Sequence, residues 1–561
     1  MATPGYDYFP LTGDKLIDGM THGYYWVLGP DRTIDFSVSN GIKGEYWSKI
    51  NLINDYVKAA VNSFEVYANI KFNNLGNYAT PAAANTAGSE INVTLSGDKV
   101  LFPSSNIWAM GFFNPNTSTI YAGQVGDVYL NINSQANYLP SYQPGTAGWA
   151  LLIHELGHTL GLKHPHDDGG TGRPTFSQQG AQALNADWAT IMSYNDSYSW
   201  NLLQFDPATP MILDVLALQY LYGKNLSTNA GNTLYNLTAN NYYSTLWDAS
   251  GNDTVSAKGA NINWTISLPG LTLSTLIDTK TGIAAPTSDL ALQSPKTLYW
   301  LAGDMENVEG GNSDDTLNGN SLDNTLIGGP GNDKLNGAEG IDSAIYTGNV
   351  NQYSLRIDRA VKSVVITDSV NNRDGSDYLI NVEKLIFNNK TLDVLNLPRS
   401  EQPMYSKTNG FLFDASYYLL SHPEITGNVT LQSAFGNYIS TGAALGFKPN
   451  AWFDPVYYAN RWGDLKDAHL DAATLFQHYN LYGVWEGRSA SAIYDSYDGA
   501  RYLKENPDVA GYVNANLNAF LGSSSNGATA HYIIYGADEG RIAHQLSGDQ
   551  IETAFIIGVH N

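Results

Sequence analysis

No cysteine occurs among the 561 residues, so disulfides, thiolate metal sites and thiol nucleophiles are excluded. Basic charge is scarce: 29 Lys and Arg stand against 53 Asp and Glu, a net charge of −24. Nucleic acid and anionic membrane surfaces are therefore poor partners. Glutamate is scarce too, with 14 of the 53 acids and Asp making up the other 39. That bias favours turns and oxygen-ligated cations over long helices. No run reaches the ~18 apolar residues of a membrane span. The first twenty residues, Met1 to Met20, lack a basic stretch followed by an apolar one, so no conventional secretory signal peptide is visible. What is abundant is 54 Gly and 37 Tyr with only 15% charged residues, the composition of a turn-rich secreted protein. Any chemistry must use His, Asp, Glu, Ser or Tyr.

The length predicts about three to five domains. Apolar residues recur at helical spacing within Ile50–Phe72 (Val57, Ala60, Val61, Phe64), then alternate as in strands over Glu90–Leu95 and Val128–Ile132. Further helical stretches cover Trp149–Leu160 and Leu213–Leu221. Helices interleaved with short strands predict one α/β domain over 1–238. From there to 398 the texture is Gly, Asn, Asp and Thr with β-branched residues, which predicts an all-β domain. Residues 399–561 make a third region, mostly helical.

The second region holds a repeat of period nine: GGNSDDTLN from Gly310, GNSLDNTLI from Gly319, GGPGNDKLN from Gly328 and GAEGIDSAI from Gly337. Position six is Asp315, Asn324, Asp333 and Asp342; position eight is Leu317, Leu326, Leu335 and Ala344. Glycine turns aim carbonyls inward and position six adds a carboxylate, a combination that suits a hard cation with six or more oxygen ligands. A flexible linker would not keep an apolar residue at position eight. The third region repeats more loosely. Phe413-Asp414 with Tyr417-Tyr418 returns as Phe453-Asp454 with Tyr457-Tyr458 and as Tyr497-Asp498 with Tyr502, while HYNLYGVWEGR from His478 returns as HYIIYGADEGR from His531. Two short helices per unit, closed by a Gly turn, are expected.

Residues 151–165 read LLIHELGHTLGLKHP. His154 and His158, four apart, project from one side of a helix toward one ion. Glu155 is placed beside them to hold a water rather than the metal. Gly161 can end the helix at positive φ and turn the chain so that His164 supplies a third nitrogen. Five fixed residue types would arise by chance on the order of 10⁻⁴ times per chain of this length.

HELGHTLGLKHP resembles the elongated zinc motif of the metzincins, and IMSYND at Ile191–Asp196 resembles their Met-turn. With LIDGMTHGYYW at Leu16–Trp26, GDVYLNIN at Gly126–Asn133 and ILDVLALQYLYGKN at Ile212–Asn225, residues 12–345 resemble the serralysins, secreted bacterial zinc endopeptidases with a calcium-binding β-roll. The resemblance implies a multidomain α+β chain: a metzincin α/β catalytic domain, a parallel β-roll and the C-terminal helical repeat module. It implies one catalytic Zn²⁺ on His154, His158 and His164, with Glu155 as general base, Met192 beneath the metal and Tyr194 as a switchable further ligand and oxyanion donor. It implies several structural Ca²⁺ ions, with best positions at Gly311 and Asp315; Gly329, Gly331 and Asp333; and Gly340 and Asp342. Glu306 and the WDASGND loop, with Asp248, Gly251 and Asp253, add ligands. Asn324 stands where the family has an acid, Ser313 and Leu322 where it has glycine, and Asn229 and Asn232 where it has Arg and Asp, so weaker or fewer ions are expected.

The implied function is secreted zinc endopeptidase acting on extended polypeptide, with Glu90–Leu95 as candidate edge strand to pair with substrate. The reading from another class is a calcium-dependent cell-surface or S-layer-associated binding protein with a silent protease domain. Type I secretion machinery is the implied export partner, with Thr553–Val559 as part of an uncleaved C-terminal signal. The Glu486/Arg488 and Glu539/Arg541 pairs read as solvated turn charges, with a carbohydrate or cell-surface contact as the functional alternative. His166 reads as a solvated loop residue.

Overall fold

The computed structural model describes residues 3–4, 9–112, 125–134, 142–195, 206–292, 295–358, 361–394, 410–422, 424–425, 429–552 and 555–558, the first and last of these as backbone. Asp196, Thr553, Val559 and His560-Asn561 lie outside the described residues. The chain forms two compact units, Met1–Asn320 and Ser321–Asn561.

The first unit opens with a five-stranded sheet of β1 (Thr33–Ser39), β2 (Lys71–Tyr78), β3 (Ile91–Ser96), β4 (Ala109–Gly111) and β5 (Val128–Asn131), in the order β2-β1-β3-β5-β4. All pairings are parallel except β4 against β5. The expected edge strand at Glu90–Leu95 is therefore corrected: β3 is flanked by β1 and β5, and all six of its residues are buried. Ile91, Val93 and Leu95 line one face and Asn92, Thr94 and Ser96 the other, where Asn92 Nδ2 donates to Ser39 Oγ at 3.1 Å and Thr94 Oγ1 to the Asn40 carbonyl at 3.0 Å, so both faces are covered. The edge beside the metal motif is β4, too short and too plain in sequence to signal itself.

Helix α1 (Ile50–Glu65) turns Val57, Ala60, Val61 and Phe64 onto the core. Helix α2 (Ala147–Thr159) carries the metal motif, and α3 (Ile212–Tyr222) lies buried along nearly its whole length. Gly148 and Gly157 inside α2 cost about 1 kcal/mol each in helix propensity. Burial of Leu152, Ile153, Leu156 and Leu160 contributes on the order of 6–12 kcal/mol before entropy, so packing decides the helix. The N-terminal segment is fastened to this core. Phe9 covers Arg173 at 4.2 Å and accepts its N–H at 2.5 Å, while the wholly buried Arg173 guanidinium lies 3.6 Å from Asp18. The Asp18 carboxylate also accepts from the Thr12 and Gly13 amides, each at 2.9 Å.

From Leu234 on, the first unit is mainly β-structure. Leu234–Asn236, Thr254–Ser256 and Asn307–Glu309 form a parallel ladder, and Trp264–Thr272 pairs in parallel with Thr316–Asn318. In the second unit Thr325–Ile327, Ser343–Ile345 and Lys384–Ile386 stack in parallel, as do Lys334–Asn336 and Ser376–Ile380. Position eight of every nonapeptide turn, Leu317, Leu326, Leu335 and Ala344, is 1% exposed or less, which is why the period is kept. Phe555–Gly558 adds to the sheet antiparallel to Tyr353–Asp358, so the apolar C-terminal stretch is a strand here.

The third region is helical, and its repeat has a packing cause. Asp414, Asp454 and Asp498 each cap a helix N-terminus by accepting an amide three residues on. The tyrosine that follows runs its hydroxyl against the repeat's glycine: a Cβ at Gly442, Gly483 or Gly536 would stand 2.2, 2.1 or 2.3 Å from Oη of Tyr418, Tyr458 or Tyr502. Tyr458 and Tyr502 then bond His478 and His531, each at 3.0 Å. Arg488 pairs with Glu486 at 2.5 Å and Asp464 at 2.9 Å, and Arg541 pairs likewise with Glu539 and Asp508, so these charges brace the turns. Gly483→Ala should lower stability by about 1–3 kcal/mol through overpacking. Adding Tyr458→Phe should recover part of that loss in thermal unfolding; an equal or larger deficit in the double variant would refute the hydroxyl clash.

Candidate metal centre

The turn after α2 follows from Gly161, which adopts φ +96° with the Tyr24 carbonyl 2.5 Å from where a Cβ would sit. The Gly161 and Leu162 amides donate to the His158 and Gly157 carbonyls at 3.0 and 3.1 Å, closing the helix end. Trp26 Nε1 and Tyr222 Oη donate to the Thr159 and Leu160 carbonyls, both at 2.8 Å. His164 is thereby swung back over the helix.

Three imidazoles meet there. Nε2 of His164 stands 3.2 Å from that of His154 and 3.0 Å from that of His158. Two nitrogens at ~2.1 Å from a tetrahedral zinc stand about 3.4 Å apart, so the set fits that ion after a small expansion. Each outer nitrogen has its own acceptor: His154 Nδ1 the Ile191 carbonyl at 2.7 Å, His158 Nδ1 the Leu162 carbonyl at 3.0 Å and His164 Nδ1 the Asp167 carboxylate at 2.6 Å. Protons on Nδ1 leave every Nε2 lone pair facing inward. Burial, with the neighbouring His164, pushes His154 down to about 3, and burial holds His158 well below its ordinary value, so both stay neutral. Against the cost of burial, the His164 and Gly169 N–H groups keep Asp167 ionised.

Glu155 is 5% exposed, and its Oε2 accepts the Gly111 amide at the end of β4 at 2.5 Å. Burial pushes its carboxyl up to about 8. Beneath the helix Met192 is fully buried, its Sδ 2.9 Å from the place of a Cβ on Gly157. The Met-turn is held by Asp214 of α3, which accepts from Thr190 Oγ1 at 2.6 Å and from the Ile191 and Met211 amides, both at 2.8 Å. The Tyr194 ring lies 4.4 Å from His164 and stacks on His154 at 5.5 Å and 17°. The residue is 63% exposed, yet burial of its hydroxyl end, with Glu155 and Asp167 near, holds the phenol above its ordinary range and hence protonated. His166 is solvated as expected, but it also stacks on His164 at 5.0 Å and flanks Tyr194 at 4.8 Å.

The predicted calcium positions fall into local groups. In the first unit Asp253 accepts the Thr233 amide at 2.7 Å and its own amide donates to Glu306 at 2.8 Å, while the Trp264 and Gly311 amides donate to Asp315 at 2.6 and 2.5 Å. A Cβ at Gly251 would stand 2.6 Å from Asp253. Burial, then Asp253, pushes the neighbouring Asp248 up to about 7. In the second unit the Asn324 amide donates to Asp342 at 2.7 Å, and the Asp342 amide donates to Glu383 at 2.8 Å. The Asp333 amide donates to Asp377 at 2.9 Å. Gly340 packs on the Leu322 carbonyl; Gly329 takes φ +90°, and the Gly331 carbonyl lies against Gly375. Buried Oδ2 atoms of Asp253 and Asp342 have no hydrogen-bond partner, the condition a cation would relieve. Burial pushes Asp342 up to about 7 and, with Asp333 beside it, Asp377 up to about 8. Asn229, where the family has Arg, spends its amide on Tyr235 Oη and the Trp247 carbonyl, both at 2.9 Å.

Sequence reasoning passed over Asp167, Asp214, Asp377 and Glu383. Gly375-Ser-Asp377-Tyr-Leu379 does repeat the spacing of Gly331-Asn-Asp333-Lys-Leu335, a signal lost because the hairpin of Tyr353–Asp358 and Ser363–Asp368 interrupts the period.

Residues 108–221 match the Reprolysin-like metallo-peptidase family M12B, and residues 309–344 match the RTX calcium-binding nonapeptide repeat in four copies. Serralysin of Proteus mirabilis is 27% identical over 359 residues, which is 58% of this chain and 66% of that one. Serralysin G of Dickeya chrysanthemi is 31% identical over 46% of this chain and 56% of its own, and Metalloprotease AprA of Pseudomonas entomophila 31% over 36% and 42%. The chain is serralysin-like. The aligned parts span less than two thirds of each of these relatives' own length. The metallopeptidase match brings zinc and the repeat match brings calcium as the cofactors of this serralysin-like chain. Among the described residues, no helix is long and apolar enough to cross a membrane.

Proposed function

We propose that the chain is a secreted zinc endopeptidase that hydrolyses peptide bonds of extracellular proteins. The observation that carries this is the convergence of three Nε2 atoms beside a buried glutamate. His154, His158 and His164 would hold the ion, and Tyr194 would join it as a movable ligand. When bound, zinc supplies Lewis-acid polarisation of a carbonyl and of a water. Glu155 takes the proton of that water and delivers it to the leaving amine nitrogen. Tyr194 donates its hydroxyl proton in a hydrogen bond to the oxygen on which charge develops. An extended substrate would pair with the outer edge of β4, the last strand of the sheet among the described residues, whose final residue already touches Glu155.

Asp248, Gly251, Asp253, Glu306, Gly311, Asp315, Asn324, Gly329, Gly331, Asp333, Gly340 and Asp342 would hold structural calcium. The orphaned oxygens of Asp253 and Asp342 support that assignment. Export through type I machinery, and a carbohydrate or cell-surface contact through the helical module, belong to the same reading; Tyr482 and Tyr535, at equivalent repeat positions and 55% and 50% exposed, are among the module's open aromatic faces. An intact Glu155 speaks against a binding protein with a silent protease domain.

Casein hydrolysis that stops with a zinc chelator and returns with zinc is the expected result, and chelator-insensitive or absent hydrolysis would overturn the proposal. Tyr194→Phe should lower kcat by about 10²–10³-fold, the effect of losing an oxyanion donor. Zinc content should not change, and an unaltered kcat would remove Tyr194 from the site.

A further inference from the structure

Peptidase chemistry gives no reason for His166 to stack on the metal ligand His164. The chain after His164 turns so that the His166 ring stacks over the His164 ring and the Asp167 carboxylate meets its Nδ1. His166 Nε2 lies 4.0 Å from Asp167 Oδ2, and one ligand atom each from His164, His166 and Asp167 fall within 4.8 Å of one another. Asp167 Oδ2 already accepts the His164 Nδ1 proton at 2.6 Å, while Oδ1 accepts the Gly169 amide at 2.8 Å. A carboxylate fixed by two donors and an exposed imidazole on the preceding residue make a preformed pair of ligands for a borderline divalent cation.

We propose that His166 and Asp167 form a second, weaker divalent-cation site of the zinc class on the outer side of His164, and that its filling inhibits the enzyme; the inhibition, though not the site, rests on the peptidase reading. Ligands of a tetrahedral zinc stand about 3.4 Å apart, so a small rotation of the exposed His166 ring closes the gap. Water completes the coordination, because two protein ligands leave open positions. His164 keeps its Nε2 for the first ion and does not ligate the second. Inhibition follows from position. The second ion draws on the carboxylate that orients His164, and it sets a double positive charge against the ring that flanks Tyr194. Inhibition by excess zinc is then a local event at the rim of the site.

The test uses the full chain with saturating calcium, so that the acidic β-region does not compete, and with its first zinc bound. Calorimetric titration with Zn²⁺ should give a second binding step, taking the content from about one to about two ions per chain. In His166→Phe, which keeps an aromatic ring on His164, the second step should vanish while the first ion stays. Casein hydrolysis by the unsubstituted chain should fall as the second step fills, and His166→Phe should resist that fall. A second step unchanged in His166→Phe, or none in the unsubstituted chain, would overturn the site. A second step lost in the variant, in a chain that hydrolyses nothing, would leave the site standing and sink the peptidase reading instead.

Discussion

Glu155→Gln should keep one zinc and the unfolding profile of the unsubstituted chain while kcat on casein falls by about 10²–10⁴-fold, the range associated with a positioned general base. Glutamine has the shape of glutamate, and its carbonyl can still accept the Gly111 amide that Glu155 Oε2 accepts at 2.5 Å. Neither the end of β4 nor the helix around the three imidazoles has cause to move. What disappears is the acceptor for a proton. The metal would persist because its orienting bonds run to Ile191, Leu162 and Asp167, and none passes through residue 155. Measured zinc near one per chain with activity lost is the expected pairing. Activity within threefold or so of the unsubstituted chain would end the assignment of Glu155 as the base, since the smallest expected loss is about a hundredfold.

Removing calcium should unfold the β-region around the nonapeptide turns, with loss of β signal in circular dichroism and cleavage by added protease within 240–395; millimolar calcium should reverse both. Asp342 and Asp377 are buried, as is Asp333, and each amide along the stack leans on a carboxylate of the next turn. Without an ion those carboxylates face one another at low dielectric. Because Asp342 and Asp377 are raised to about 7 and 8 in the calcium-free fold, above their unfolded values, that fold binds more protons than the unfolded chain. The stability these two groups add is therefore fullest below their ordinary value of 3.8 and is lost as pH rises from there through about 7–8. Chelated protein should regain part of its β signal on acidification from pH 8 to pH 5.5. A β-region equally ordered in excess chelator at pH 8 would sink the calcium assignment.

Features written in local spacing were open to reading: His154, His158, Gly161 and His164 need only a helical period and a turn, and the nine-residue repeat needs only counting. The misses share a cause, which is dependence on chain far away. Strand β4 has three residues and no alternation, so only its pairing with β5 reveals it. Asp214 matters because the Met-turn over twenty residues upstream presents it with a hydroxyl and an amide. Asp377 and Glu383 continue the stack after an intervening hairpin that erases the period. The Tyr–Gly pairs of the helical module were visible as repetition, but their reason, a hydroxyl filling the space of a missing Cβ, exists only in three dimensions.

The Arg173–Asp18 pair makes the N-terminal segment part of the core. Phe9 is both the aromatic lid over the guanidinium and a carbonyl acceptor for it, and Thr12 and Gly13 are held by the opposing carboxylate. Removing Phe9 takes a ring and a carbonyl from the guanidinium, and removing Thr12 and Gly13 strips three donors from Asp18. The first stretch of chain is thus bound into the protein interior through charge, although its own sequence carries little of it.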